Sequence, residues 1–165
     1  FPVVDWIYDE LPSGLLVKAV APLAYPGVIS TQHVLWNYDN VDPAVARQTG
    51  AHAVDNLSSK VVRQLVKGVK DGYLSSEDGL HNYTDGMQKI EVPIFFVVGG
   101  LDQMAPPSVM VEAFRKVKSK EKRIEILSRA NGYAHDYGHV DLVLGKSAPR
   151  EVFPLLEQWL MQHEG

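Results

Sequence analysis

With 45% hydrophobic and 22% charged residues over 165 positions, the composition is that of a folded globular domain rather than a disordered or fibrous chain, and one domain is expected. The net charge of -4, with Lys and Arg scattered among acids, builds no continuous basic face and sets aside a nucleic-acid partner. The longest uninterrupted apolar run, residues 94–98, is far short of the roughly 20 residues a membrane helix needs, so no membrane span is expected.

The chain opens on Phe1-Pro2-Val3-Val4, with neither an initiator Met nor a charged segment followed by an apolar one, as expected of a segment that begins inside a longer protein. Residues 1–89 read as helices and loops, because helical periodicities are interrupted by Pro, Gly and polar clusters and no convincing alternating strand occurs. Asp42-Pro43 is a helix start, with Asp as N-cap and Pro at the first helical position, running to about Val54. A second helix starts at Ser58 and ends near Gly72. Its Val61, Val62, Leu65, Val66 and Val69 fall on one stripe and Lys60, Arg63, Lys67 and Lys70 elsewhere, the pattern of an amphipathic covering helix. Asn56-Leu57-Ser58 and Asn82-Tyr83-Thr84 are glycosylation sequons, compatible with a secretory or lysosomal route, and a cytoplasmic location stays open. The absence of cysteine removes disulfides, thiolate chemistry and zinc–cysteine sites and leaves the redox compartment open.

Near Lys89 the grammar changes, and residues 90–165 alternate strand, helix, strand, loop and helix, an α/β layer pattern. Pro93-Ile94-Phe95-Phe96-Val97-Val98 is apolar on both alternating faces, which suits a strand buried in a parallel sheet, and Gly99-Gly100 ends it. Pro107 opens a helix in which Val109, Met110, Ala113, Phe114 and Val117 share a face, with Lys116, Lys118 and Lys120 toward its carboxy end. Residues 123–127 alternate as a short strand. The last element, about residues 148–162, places Val152, Leu155, Leu156, Trp159 and Leu160 at helical spacing against the sheet, with Pro154 in its first turn or kinking it. Two strands are too few for a stable sheet of this kind. Further strands are therefore expected upstream, in the first half or in another chain.

The chemistry concentrates in two segments, Gly99-Gly100-Leu101-Asp102 and Tyr137-Gly138-His139. Both follow strands, and the loops at the carboxy ends of parallel strands are where functional groups collect. A histidine acting as general base needs a carboxylate on its other ring nitrogen, to fix its tautomer and stabilise the imidazolium, and Asp102 before His139 is that pairing. Each residue alone has a blander reading: Asp102 as a turn or helix cap before Ala105-Pro106-Pro107, His139 as a loop histidine bonded to backbone.

With these residues in place, the chain resembles the α/β-hydrolase superfamily, whose triad runs nucleophile, then acid, then histidine. The resemblance is carried by the run from Val92 through Gly99-Gly100-Leu101-Asp102, similar to the family's penultimate strand and acid loop, and by Gly138-His139-Val140-Asp141-Leu142, similar to its histidine loop. His139-Val140-Asp141-Leu142-Val143-Leu144-Gly145, followed by Ala148-Pro149, is similar to the end of acid lipases of the lysosomal and gastric type. The resemblance implies an α/β fold made of the carboxy-terminal portion of a hydrolase sheet, with residues 1–89 as a helical cap or lid. It also implies Asp102 and His139 as triad acid and base, an ester or lipid-ester substrate, and no metal or organic cofactor.

The departure is the nucleophile. No Gly-x-Ser-x-Gly occurs in the sequence, and the oxyanion donors that accompany such a turn are missing with it. The chain alone is expected to be inactive and to need a complementary amino-terminal half, or another chain, that completes the sheet. The rival reading is a non-catalytic α/β-hydrolase-like interaction module.

Lesser candidates stay beside these. His135 and His139, four apart, would share a face in a helix and suggest a metal pair, against which Gly132 and Gly138 argue. His135 is an alternative base. Asp141 is expected to bond backbone near the histidine loop rather than replace Asp102. Trp6, Tyr8, Tyr25, Trp36 and Tyr38 either line an acyl pocket or form cap core. His33, His52, His81 and His163 have no evident partner in the sequence.

Overall fold

The computed structural model describes residues 35–53 and 58–164. In chain order they form α1 (Pro43–His52), α2 (Ser59–Asp71), α3 (Tyr83–Gly86) continuing into a 3-10 turn at Met87–Lys89, β1 (Ile94–Gly99), α4 (Pro107–Lys116) and β2 (Lys122–Leu127). A 3-10 turn at Arg129–Asn131 precedes α5 (Asp141–Leu144), α6 (Ala148–Glu151) and α7 (Phe153–Gln162). The described residues thus mix helix with a two-stranded parallel sheet, an α/β arrangement. None of their helices is long and apolar enough to cross a membrane.

The local signals act as their chemistry dictates. Asp42 caps α1, its Oδ1 accepting from Ala44 N at 2.7 Å, with Pro43 in the first turn. β1 and β2 pair in parallel from Ile94 beside Lys122 to Gly99 beside Leu127, and α4 is the crossover between them. Alternate side chains of β1 leave on opposite faces. Phe96 meets Phe114 of α4 edge-on, centroids 5.8 Å apart, while Phe95 meets Trp159 of α7 at 5.3 Å. Each face of the strand thus carries an aromatic contact, but the expected full burial is reached only at Val98 and Gly99, Ile94 to Val97 being half-buried. Lys122 closes the far end of α4: its Nζ donates to Phe114 O at 2.9 Å and Val117 O at 2.6 Å, a cation set against the negative end of the helix dipole. The helix stops at Lys116, so Lys118 and Lys120 lie in the turn beyond it.

Three further expectations change. The apolar stripe of α2 does not cover the body. Val69, at its centre, is 84% exposed, and Val61, Leu65 and Val66 are exposed with it. The side of α2 turned to its neighbours carries Gln64, which donates to Ser75 O at 2.6 Å, and Gly68, against which Leu74 sits. Second, the carboxy-terminal helix is two helices. The chain breaks at Val152, and Pro154 lies in the first turn of α7, where its missing N–H removes nothing. Val152 is buried, Leu155 and Trp159 are half-buried, and Leu156 and Leu160 stay exposed. Third, Val109 faces outward on α4.

The core is built where the strands end. Leu127, Tyr137, Ala148 and Val152 form one buried cluster, flanked by Val97, Tyr133 and Leu142. Trp36, Val41 and Ala46 form a second, flanked by Tyr38 and Val140. Residues 35–46 thus pack on the segment that carries His139. An isolated antiparallel bridge joins Val41 to Gly145, and Val140 N donates to Leu35 O at 2.9 Å.

Of the two sequons, Asn56 lies outside the described residues. Asn82 caps α3, with Oδ1 accepting from Asp85 N at 3.0 Å and Nδ2 donating to Asp85 Oδ2 at 2.8 Å.

Candidate functional site

Because β1 and β2 are parallel and in register, the loops after Gly99 and Leu127 leave the same end of the sheet. They converge on one carbonyl: Leu127 O accepts from Gly100 N at 2.9 Å and Tyr137 N at 3.2 Å, and Leu101 N donates to Tyr137 O at 2.8 Å. Such close backbone approach leaves no room for side chains. A Cβ on Gly99 would lie 2.5 Å from Tyr137 O and 2.7 Å from Gly138 O, and one on Gly138 would lie 2.8 Å from Trp36 Cα.

This crossing sets Asp102 and His139 together, with His139 Nδ1 2.8 Å from Asp102 Oδ2. The Asp102 side chain is 3% exposed and that of His139 is 42% exposed. The two oxygens of Asp102 divide the work. Oδ1 accepts from Met104 N and Ala105 N, both at 2.8 Å, fixing the turn that leads into α4, while Oδ2 faces the imidazole. The capping role and the pairing role, which the sequence sets as alternatives, coexist in one carboxylate. An ionised carboxylate only accepts, so the neutral imidazole carries its proton on Nδ1, and Nε2 is left with its lone pair. An oriented, half-exposed imidazole of this kind can take a proton at Nε2 and hold the resulting charge against Asp102.

A second tier supports the histidine loop. Asp141 is fully buried; its Oδ1 and Oδ2 accept from Asn37 N at 3.1 and 3.0 Å, and Oδ2 also accepts from Gly138 N at 3.0 Å. Burial raises its carboxyl above the usual carboxylate range, against the lowering effect of those N–H groups. Asp141 therefore bonds backbone and not His139, as its position beside the loop suggests. Asn37 Nδ2 donates to Asp136 O at 2.7 Å. On the other flank, Glu151 accepts from Ala134 N at 2.9 Å and from the Tyr137 hydroxyl at 2.6 Å. Burial, then the Glu151 carboxylate, pushes the Tyr137 phenol far up. Neither Asn37 nor Glu151 is marked by a sequence motif. Both are reached only through backbone groups or a tyrosine hydroxyl.

The remaining candidates separate. Residues 133–140 are loop and turn, not helix, and among the described residues no group of three or more His, Cys, Asp or Glu is arranged to hold a metal. No hydrogen bond joins His135 to Asp102 among the described residues. Trp36 and Tyr38 pack edge-on at 6.3 Å in the cluster beside Val140 of the histidine loop. Trp6, Tyr8, Tyr25 and His33 lie outside the described residues, and His52 and His81 are exposed. His163 does have partners: Nδ1 meets Trp159 O at 2.7 Å, Nε2 meets Glu121 Oε2 at 2.9 Å, and the ring stacks on Trp159. A cleft of about 370 Å³ lined by Glu91, Pro93, Lys118, Lys120 and Glu121 lies at the opposite end of the strands from the pair. Compared with known proteins, the chain matches no protein-family model and no curated protein.

Proposed function

We propose that this chain supplies the acid and the histidine of a serine-hydrolase triad, as the carboxy-terminal portion of an α/β-hydrolase with a helical cap. The substrate is a carboxylic or lipid ester. The observation that carries the reading is the 2.8 Å contact from His139 Nδ1 to the buried Asp102, at the carboxy-terminal end of parallel strands. In this reading His139 Nε2 removes the proton of a serine hydroxyl as its oxygen attacks the ester carbonyl, and Asp102 stabilises the imidazolium. The same proton then passes to the departing alkoxide, leaving an acyl-enzyme and the alcohol. Water, deprotonated by His139, hydrolyses the acyl-enzyme. The serine and the oxyanion donors come from a complementary amino-terminal half or another chain, since no Gly-x-Ser-x-Gly is present in these 165 residues. Similarity to acid lipases of the lysosomal and gastric type supports a lipid ester as substrate.

Labelling by a fluorophosphonate tests the reading. The chain alone should not be labelled, and the protein assembled with its complementary part should be labelled on a serine of that part. Asp102→Asn should slow ester turnover by about four orders of magnitude, the scale of a lost triad acid. An assembled protein that turns over esters equally well with His139→Ala removes the proposal. The reading as a non-catalytic interaction module draws on Asp102 Oδ1, which has a structural task of its own at the start of α4. That reading gains if the assembled protein resists the probe.

A further inference from the structure

We infer that Asp141 is a positioning residue for His139, acting through the Gly138 amide and tying the orientation of the imidazole to the upstream segment at Asn37. The inference rests on the reading of Asp102 and His139 as a triad pair and extends it to a residue that touches neither ring nor carboxylate of that pair.

A fully buried carboxylate must find donors, and Asp141 finds main-chain ones at Asn37 and Gly138 with the Asn40 side chain close beside them. Its Oδ2 accepts from Gly138 N at 3.0 Å, so the Tyr137–Gly138 peptide unit, one residue before His139, is held in place. The same oxygen and its partner both accept from Asn37 N, at 3.0 and 3.1 Å, across 104 residues of sequence. On the other side of His139, Val140 N is held by Leu35 O at 2.9 Å. The histidine is therefore gripped before and after its own Cα by contacts that all lead to residues 35–37. The backbone at Gly138 passes so close to this segment that a Cβ there would lie 2.8 Å from Trp36 Cα and 3.0 Å from Asn37 N. With His139 half-exposed and its own side chain held by one bond, the direction of the imidazole follows from where this backbone places Cα and Cβ. The supporting carboxylate is thus a separate one from the carboxylate that bonds the ring.

The test uses the full chain and ¹⁵N spectra of the His139 imidazole, which separate Nδ1–H, Nε2–H and doubly protonated forms. Asp141→Asn turns one of the accepting oxygens into a donor facing a main-chain N–H. In folded D141N the hydrogen-bonded Nδ1 proton of His139 should be lost and its nitrogens should average between tautomers, although Asp102 is untouched. Should D141N fail to fold, Asp141→Ser leaves room and a smaller acceptor, and should show the same loss. Folded D141N or D141S with the wild-type His139 nitrogen pattern, and only a lowered melting temperature, would reduce Asp141 to a purely structural residue and overturn the inference. D102N is the control on the parent reading. If D102N also leaves the His139 pattern unchanged, the pair itself fails, and the positioning role fails with it. A D102N change without a D141N change sinks the positioning role alone.

Discussion

Asp102 shows how one side chain serves two ends. Its Oδ1 satisfies two main-chain donors at the start of α4, and its Oδ2 holds His139. The two tasks can be separated by substitution. Asp102→Asn keeps an oxygen for Met104 N and Ala105 N but presents an amide donor to His139, which must then accept at Nδ1 and carry its proton on Nε2. The fold should lose about 1 kcal/mol, the difference between a charge-assisted and a neutral hydrogen bond, while the tautomer inverts. Asp102→Ala removes the acceptor of two part-buried main-chain donors and the partner of His139 together, and should cost more, about 1–3 kcal/mol. Urea denaturation of the two variants, with ¹⁵N spectra of D102N, checks this. Equal losses of stability would mean that the turn does not depend on Oδ1.

At the scale of elements, α2 and the sheet respond oppositely to substitution. Val69 is 84% exposed, although the periodicity of its helix reads as a packing face, and Leu127 is fully buried between the two loops of the site. Val69→Lys should change stability by no more than about 0.5 kcal/mol, as surface changes do. Leu127→Ala should cost about 2–5 kcal/mol, because it removes a core side chain from a site that cannot collapse. A large loss in V69K would show that the stripe is covered in solution. The pattern of α2 contains a real amphipathic helix, with Lys67 paired to Asp71 one turn on. Periodicity states that a face is apolar, and only packing states what it faces.

Across the whole molecule, stability against alkali should draw on tyrosines with raised phenols, among them half-buried Tyr133 and buried Tyr137 near the ends of the strands. Burial, and then the Glu125 carboxylate bonded to its hydroxyl at 2.7 Å, pushes Tyr133 from 10.0 up to about 12. Tyr137 is pushed further up by burial and Glu151. A phenol whose folded pKa is raised holds its proton more tightly in the folded state, so its contribution is complete below the unfolded value of 10.0 and is lost as pH rises through about 12. The chain should therefore lose stability from pH 10.0 upward, and Tyr133→Phe should flatten the part of that slope ending near 12. Melting temperatures at stepped pH check this. The bond with Tyr133, followed by that with Arg123, lowers the partner Glu125. Its contribution has the opposite sense, present above the ordinary value of 4.5 and lost as pH falls through the lowered one. An unchanged alkaline slope in Y133F would remove Tyr133 from the account.

What the sequence determined by itself is local. Asp42-Pro43 starts α1, Pro107 starts α4, the apolar run before Gly99-Gly100 becomes β1, and Asp102 and His139 follow successive parallel strands and so lie at one end of the sheet. Each of these depends on side chains acting within a few residues, or on the geometric rule that parallel strands end on one side. The exposure of α2, the break at Val152 and the supports of His139 were decided by tertiary structure alone. Asp141 meets Asn37 and Gly138 through main-chain N–H groups, and Glu151 meets Ala134 in the same way. Every residue but proline carries such a donor, so these partners leave no mark in the residue types, and only the folded path of the backbone selects them.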